Sequence, residues 1–207
     1  SAYEALVSAA KKEGLALEIA SGFRSYERQS YIWNNKFSGK TVIKDQHNNA
    51  VDISQLSEIE TIHAILLYSA LPGASRHHWG CDIDIYARNL LPQGYQLQLE
   101  PWEYQQEGPL AELSLWLDEN AHSFGFYLPY QNFRGGVAAE PWHLSYAPIA
   151  CQFHSKLTTD VLSHIYKGKI NQPVVLGCEV IMDNMSEIMT RYVNNVNEIP
   201  QSCYNPR

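Results

Sequence analysis

Two short stretches of this 207-residue chain concentrate the side chains that can do chemistry. The first is Ser75-Arg76-His77-His78-Trp79-Gly80-Cys81-Asp82-Ile83-Asp84, and the second is Glu140-Pro141-Trp142-His143. A catalytic zinc site needs three protein ligands and one open position. His77, Asp84 and His143 would supply two neutral nitrogens and one anionic oxygen, so Zn2+ would keep a net positive charge and polarise a carbonyl. Glu140 stands three residues before His143, where it could take the proton of the attacking water and pass it to a leaving amine. Arg24 follows an expected strand, and a fixed guanidinium there could stabilise an oxyanion. His47, His63, His122, His154 and His164 have no supporting neighbours and read as structural or solvent-exposed. His78 is expected to point away from its neighbour. An Asp-x-Asp pair such as Asp82 and Asp84 is more often a solvated strand face than a ligand set. Trp79 and Trp142 read as packing residues.

The elements that must position these groups follow from the hydrophobic pattern. Residues 2–13 form an expected helix stopped by Gly14, and 15–20 alternate as a strand. Residues 21–25 leave that strand, 26–37 look helical, and the polar stretch 38–46 reads as loop. Residues 57–71 form an amphipathic helix ended by Pro72-Gly73. In 81–86 a period of two puts Asp82 and Asp84 on one strand face and Ile83 and Ile85 on the other. Further strands are expected at 95–99 and, as a strand or loop edge, at 126–130. A helix at 110–123 carries a stripe of Leu113, Trp116 and Leu117 and ends at Gly125. Pro141 disfavours helix at Glu140. Beyond residue 167 the pattern gives a short strand at 173–176, a helix at 179–193 and a polar tail at 194–207. Strands and helices mix without a βαβ rhythm, so the class is α+β. The expected organisation is a catalytic zinc domain over residues 1–166 and an extension, 167–207, packed on it.

Composition narrows the partners. The net charge is -7, and no cluster of Lys and Arg would hold a phosphate backbone, so nucleic acid is excluded. No apolar run approaches the roughly 20 residues that span a bilayer. The chain opens on a helix and not on a signal peptide, which fits an upstream segment having been removed. Four cysteines form no CxxC pair, which argues against a thiolate zinc knuckle. Their even number permits disulfides, Cys178 with Cys203 being the chosen pair; the alternative is four buried thiols.

Ser75-x-His77-x-x-Gly80-x-x-x-Asp84, followed by Glu140-x-Trp142-His143, resembles the signature of VanY-type D-Ala-D-Ala carboxypeptidases, zinc peptidases with lysostaphin-like and hedgehog-like folds. Ser21-Gly22-Phe23-Arg24-Ser25, with Gln29 beyond it, resembles that family's upstream SGYRS-x-x-x-Q motif. The three motifs stand in family order over about residues 15 to 150. The resemblance implies a small, mainly antiparallel sheet carrying the zinc site, flanked by helices. It implies His77, Asp84 and His143 as zinc ligands, Glu140 as general base and Arg24 as the group on the reacting carbonyl. Gln29 and Ser75 match positions that contact the substrate peptide or its carboxylate. Tyr130 matches the family's GF-x-x-x-Y segment, with a core or rim aromatic as the alternative. Two departures stand out. Asp82 occupies a position where the family often carries Ala, and could orient a ligand or face substrate. The loop from Tyr130 to Glu140 is also short.

The implied activity is removal of the terminal D-Ala from peptidoglycan stem peptides, in the periplasm or cell envelope, by a monomer. A D,D-carboxypeptidase is favoured, because Arg24, Gln29 and Ser75 together could hold a terminal carboxylate. An L,D-carboxypeptidase or an endopeptidase of the same fold are alternatives, since shared motifs do not separate them. A non-catalytic zinc module would have no need of Glu140. A structural envelope protein would bind no metal.

Overall fold

A computed structural model describes residues 1–168 and 173–204 of the chain. Helix α1 (Ala2–Lys12) opens with a capping box between Ser1 and Glu4, buries Leu6 and Ala10, and gives way to Gly14 in the left-handed region. Strand β1 (Leu17–Ser21) leads to α2 (Tyr26–Phe37), whose first turn is capped by Ser25. A small hairpin of β2 (Ile43–Lys44) and β3 (Ala50–Val51) precedes α3 (Glu58–Leu66), which starts with a second capping box, Ser57 and Glu60. Then come β4 (Asp82–Ala87), α4 (Pro101–Tyr104), α5 (Ala111–Asn120), β5 (Phe126–Tyr127) and β6 (His143–Tyr146). Helices α6 (Ala147–His154), α7 (Thr159–Lys167), α8 (Cys178–Asp183) and α9 (Met185–Ile188) follow.

Four strands make one antiparallel sheet in the order β1-β4-β6-β5. One face is apolar. Leu17, Ile85, Ala87 and Leu144 pack there against Leu6 of α1 and Leu113 and Leu117 of α5. Each such leucine or isoleucine contributes roughly 1.5–3 kcal/mol when fully buried. The opposite face carries Asp82, Asp84, His143 and Ser145. A second core joins Trp33 of α2, Ile62 and Ile65 of α3, Leu162 of α7, Ile181 of α8 and Met185 of α9. The α+β class and the small antiparallel sheet therefore stand.

Several elements differ from the sequence expectation. Residues 95–99 form no strand. The buried Glu103 carboxylate instead accepts from the Gln98 and Glu100 amides and the Tyr95 hydroxyl, so the alternating side chains pack on the core without a partner strand. The stretch 38–46 is not all loop, because Asp45 accepts from the amides of His47 and Asn49 and folds the β2–β3 turn. The 57–71 helix ends at Leu66. Residues 173–176 form no strand, and the 179–193 helix is broken at Asn184, whose side-chain amide donates to the Val180 carbonyl. Helices α6 and α7 went unanticipated. No bridge joins Cys178 to Cys203, since Cys203 packs with Cys81 and Tyr127 while Cys178 lies in the other core. Residues 169–172 of the expected extension and 205–207 of the expected tail lie outside the described residues.

Candidate metal centre

The register of β4 against β6 sets Asp84 directly opposite His143. Directly opposed residues on one face hold their Cβ atoms about 4.5–5.5 Å apart, so two motifs far apart in sequence become neighbours. His77 arrives on the tight turn Arg76–Trp79, closed by Gly80 at φ 71, a left-handed conformation that suits glycine. That turn places His77 Nε2 3.2 Å from Asp84 Oδ2, while His143 Nδ1 lies 3.3 Å from Asp84 Oδ1. One donor atom from each of the three residues lies within 4.8 Å of the others. Tetrahedral zinc with bonds of about 2.0–2.2 Å sets its ligand atoms roughly 3.3–3.6 Å apart.

The chemistry of this set fits a metal. Asp84 Oδ1 is buried and accepts no hydrogen bond, a costly state for a carboxylate oxygen unless a cation meets it. Burial alone would raise the Asp84 carboxyl pKa, but the two imidazoles outweigh it and hold the carboxyl well below its usual range. Both rings are also oriented by their far nitrogens. His77 Nδ1 meets the Gly22 carbonyl at 2.9 Å, which can only accept, so the proton sits on Nδ1 and Nε2 faces the site. His143 Nε2 meets Asp82 Oδ1 at 2.9 Å, which leaves Nδ1 toward the site. Burial pushes the His143 pKa down, yet the surrounding carboxylates of Asp82, Asp84 and Glu140 raise it well above its ordinary value.

Asp82 faces neither solvent nor the cleft. It is 0% exposed, and it accepts from Arg76 Nε at 2.8 Å and Ser145 Oγ at 3.1 Å as well as from His143. Arg76, 4% exposed, donates in turn to Ser145 Oγ at 2.6 Å and Tyr127 Oη at 2.9 Å, and its guanidinium lies over the Trp79 ring. A buried ion pair thus stands directly behind one candidate ligand, His143.

Glu140 sits beside this donor set, its Oε2 3.4 Å from His143 Nδ1. Its backbone is fixed at both ends, the amide donating to the Tyr130 carbonyl and the carbonyl accepting from the His143 amide. The loop before it is braced from behind. Arg191 Nε donates to the Gly135 carbonyl at 2.8 Å, and the Arg191 carbonyl approaches so closely that a Cβ on Gly136 would stand 2.0 Å from it.

Arg24 enters the same cleft. Its side chain donates to Ser21 Oγ at 3.1 Å and Gln29 Oε1 at 3.0 Å, and its backbone is tied to the His77 carbonyl and, through the Arg24 carbonyl, to His78 Nδ1. His78 does turn away from the donor cluster, and its other nitrogen accepts from the Gly73 amide. Gln29 is fully buried, its amide spent on Arg24 and on the Ala70 carbonyl, so it supports Arg24 and does not line the cleft. Ser75 and Tyr130 do line it, and the Tyr130 ring stands edge-on to His143 with centroids 5.1 Å apart. Burial pushes the Tyr130 hydroxyl up to about 12. The cleft measures about 300 Å³. Lys44 and Asn48 of the β2–β3 hairpin clasp Glu100 at its rim.

The eight expected site residues therefore gather in one region. Arg76, Ser145, Tyr127 and Lys36 were missed. Arg76 had one sequence signal: a cation six residues before an unexplained strand carboxylate.

The VanY family model, described as D-alanyl-D-alanine carboxypeptidase, matches residues 1–149. An uncharacterised protein of Haemophilus influenzae is 39% identical over 125 residues, which cover 59% of this chain and 92% of that protein. A D-alanyl-D-alanine carboxypeptidase of Enterococcus faecalis is 31% identical over 147 residues, 70% of this chain but only 45% of its own length. The solved structure of VanYB in complex with D-alanine-D-alanine shares the fold, at 24% identity and TM-score 0.50 over 81% of this chain and 80% of that one.

Proposed function

The chain belongs to the VanY family of D-alanyl-D-alanine carboxypeptidases, and from that premise we propose that it is a zinc carboxypeptidase that removes the terminal D-Ala of peptidoglycan stem pentapeptides in the cell envelope. The observation that carries this reading is the Asp84 carboxylate, one oxygen of it orphaned, with an oriented imidazole nitrogen beside each oxygen and the Glu140 carboxylate adjoining His143.

His77 Nε2, Asp84 and His143 Nδ1 would hold the zinc ion. When bound there, zinc supplies Lewis-acid polarisation of the scissile carbonyl and brings water in the site toward a pKa of about 7. Glu140 takes the proton of the attacking water and returns it to the amine of the departing D-Ala. Arg24, held by Ser21 and Gln29, donates to the carbonyl oxygen as negative charge develops on it. Ser75 and Tyr130 flank the peptide in the cleft. The His77 and His143 rings need no reorientation to bind metal, because Gly22 and Asp82 already fix their tautomers.

Incubation of the zinc-loaded protein with defined tetra- and pentapeptide stems, followed by mass spectrometry, tests the proposal. Loss of a single alanine from the pentapeptide is expected. Release of that alanine only from tetrapeptides, an internal cut, or no product would overturn it.

A further inference from the structure

One cation in the cleft has no part in the chemistry above. Gln29, Trp33 and Lys36 share one face of α2, at i, i+4 and i+7. Gln29 and Trp33 are fully buried, so that face is pinned. Helical side chains lean toward the helix N-terminus, and Lys36 does so along the cleft wall. Its Nζ donates to Ser69 Oγ at 2.6 Å, one residue from the carbonyl that anchors the Gln29 amide. The ammonium group therefore ends near the support of Arg24. Among the described residues no carboxylate lies within ion-pair distance of either Lys36 or Arg24; both donate only to neutral oxygens. Neither cation is paired at contact, although the Asp84 and Glu140 charges act on Arg24 and the Glu140 charge on Lys36 from a distance, so both keep donors that an arriving anion can use. Burial lowers the Lys36 pKa, with the Glu140 charge acting against it, which places the ammonium within the field of the catalytic carboxylate.

We propose that Lys36 receives the free α-carboxylate of the departing residue, which leaves Arg24 to the reacting carbonyl. This rests on the carboxypeptidase reading and adds to it a reason for exopeptidase specificity: an internal peptide bond presents no carboxylate at that place. A plain strut at the C-terminal end of α2 would need only a donor for Ser69 and would complement the helix dipole. Charge dependence on the substrate separates the two roles.

The test compares Lys36→Met with Lys36→Gln, which keeps a neutral donor for Ser69 if the Met variant folds poorly. Zinc content and thermal midpoint are checked first. Substrates are stem pentapeptides ending in a free acid or in an amide, each with either lysine or diaminopimelate at the third position. The wild type should prefer acid over amide, and either variant should lose about 10- to 100-fold in kcat/KM on the acid, chiefly through KM, with the amide rate unchanged. Lys36→Arg should recover part of the loss. Retained acid preference, an equal loss on both peptides, or a loss confined to the diaminopimelate substrates would overturn the proposal. If the wild type cleaves none of the peptides, the functional reading fails. Lys36 is then judged by calorimetric binding of the same acid and amide pair, where equal affinity of wild type and variant for the acid rejects it.

Discussion

Replacing Asp82 by Ala would remove one carboxylate that serves four donors at once: Arg76 Nε, His143 Nε2, Ser145 Oγ and the Cys81 thiol. Two separable losses follow. Arg76, nearly inaccessible to water, is left as a buried cation without a counter-ion. Breaking a buried pair by deleting one partner costs about 3–5 kcal/mol. For a chain of this size each kcal/mol moves the thermal midpoint by roughly 2–4 °C, so a fall of roughly 6–20 °C is expected in the metal-free protein. Second, His143 loses the acceptor that fixes its tautomer, and outer-shell partners of this kind are worth roughly 10- to 100-fold in metal affinity. Arg76→Leu combined with Asp82→Leu removes both charges, and should recover most of the stability without recovering the affinity. Calorimetric unfolding in chelator and zinc competition against a chromophoric chelator read the two quantities separately. Wild-type stability in Asp82→Ala, or a double variant as unstable as the single one, would refute the ion-pair reasoning. Unchanged zinc affinity would refute the orienting role.

Glu140→Gln should bind zinc as tightly as the wild type while kcat falls by about 10²- to 10⁴-fold, measured by single-alanine release and metal analysis together. Gln29→Leu should lower kcat with zinc content intact, because Arg24 loses the acceptor at 3.0 Å that aims it; combined with Arg24→Met, the two losses should not add. Gly136→Ala should depress both activity and thermal stability, since its Cβ would meet the Arg191 carbonyl at 2.0 Å and push the loop that ends in Glu140.

What was legible in the sequence was the candidate donor set, carried by the resemblance of its motifs to a known family, with the strand period showing which side chains share a face. The alternation in 81–86 put Asp82 and Asp84 on one side of β4, and the structure keeps them there, both against His143. Spacing alone did not reveal that Asp82 looks inward to Arg76, since that depends on the fold of the 76–79 turn. Gln29 illustrates the same limit: its motif position suggests contact with substrate, but its amide is consumed by Arg24 and Ala70. The expected strand at 95–99 had the right alternation, yet a strand needs a neighbour, and here Glu103 satisfies the backbone. The hairpin at 43–51 was hidden because its strands are two residues each, too short for periodicity, although Asp45, Asn48 and Asn49 carried turn chemistry. The 179–193 helix failed at Asn184, where a side chain competing for a helix carbonyl ends α8. Lys36 left no local trace, because its place on the cleft wall with only the Ser69 hydroxyl as a direct partner is set by the fold in three dimensions.

Anomalous diffraction at the zinc edge from crystals of the zinc-loaded protein addresses the metal centre most directly. Expected is one peak bounded by His77 Nε2, the Asp84 carboxylate and His143 Nδ1, with Glu140 adjacent and not ligating. A peak elsewhere in the molecule, ligation through His143 Nε2, or no ordered metal at these three side chains would contradict it.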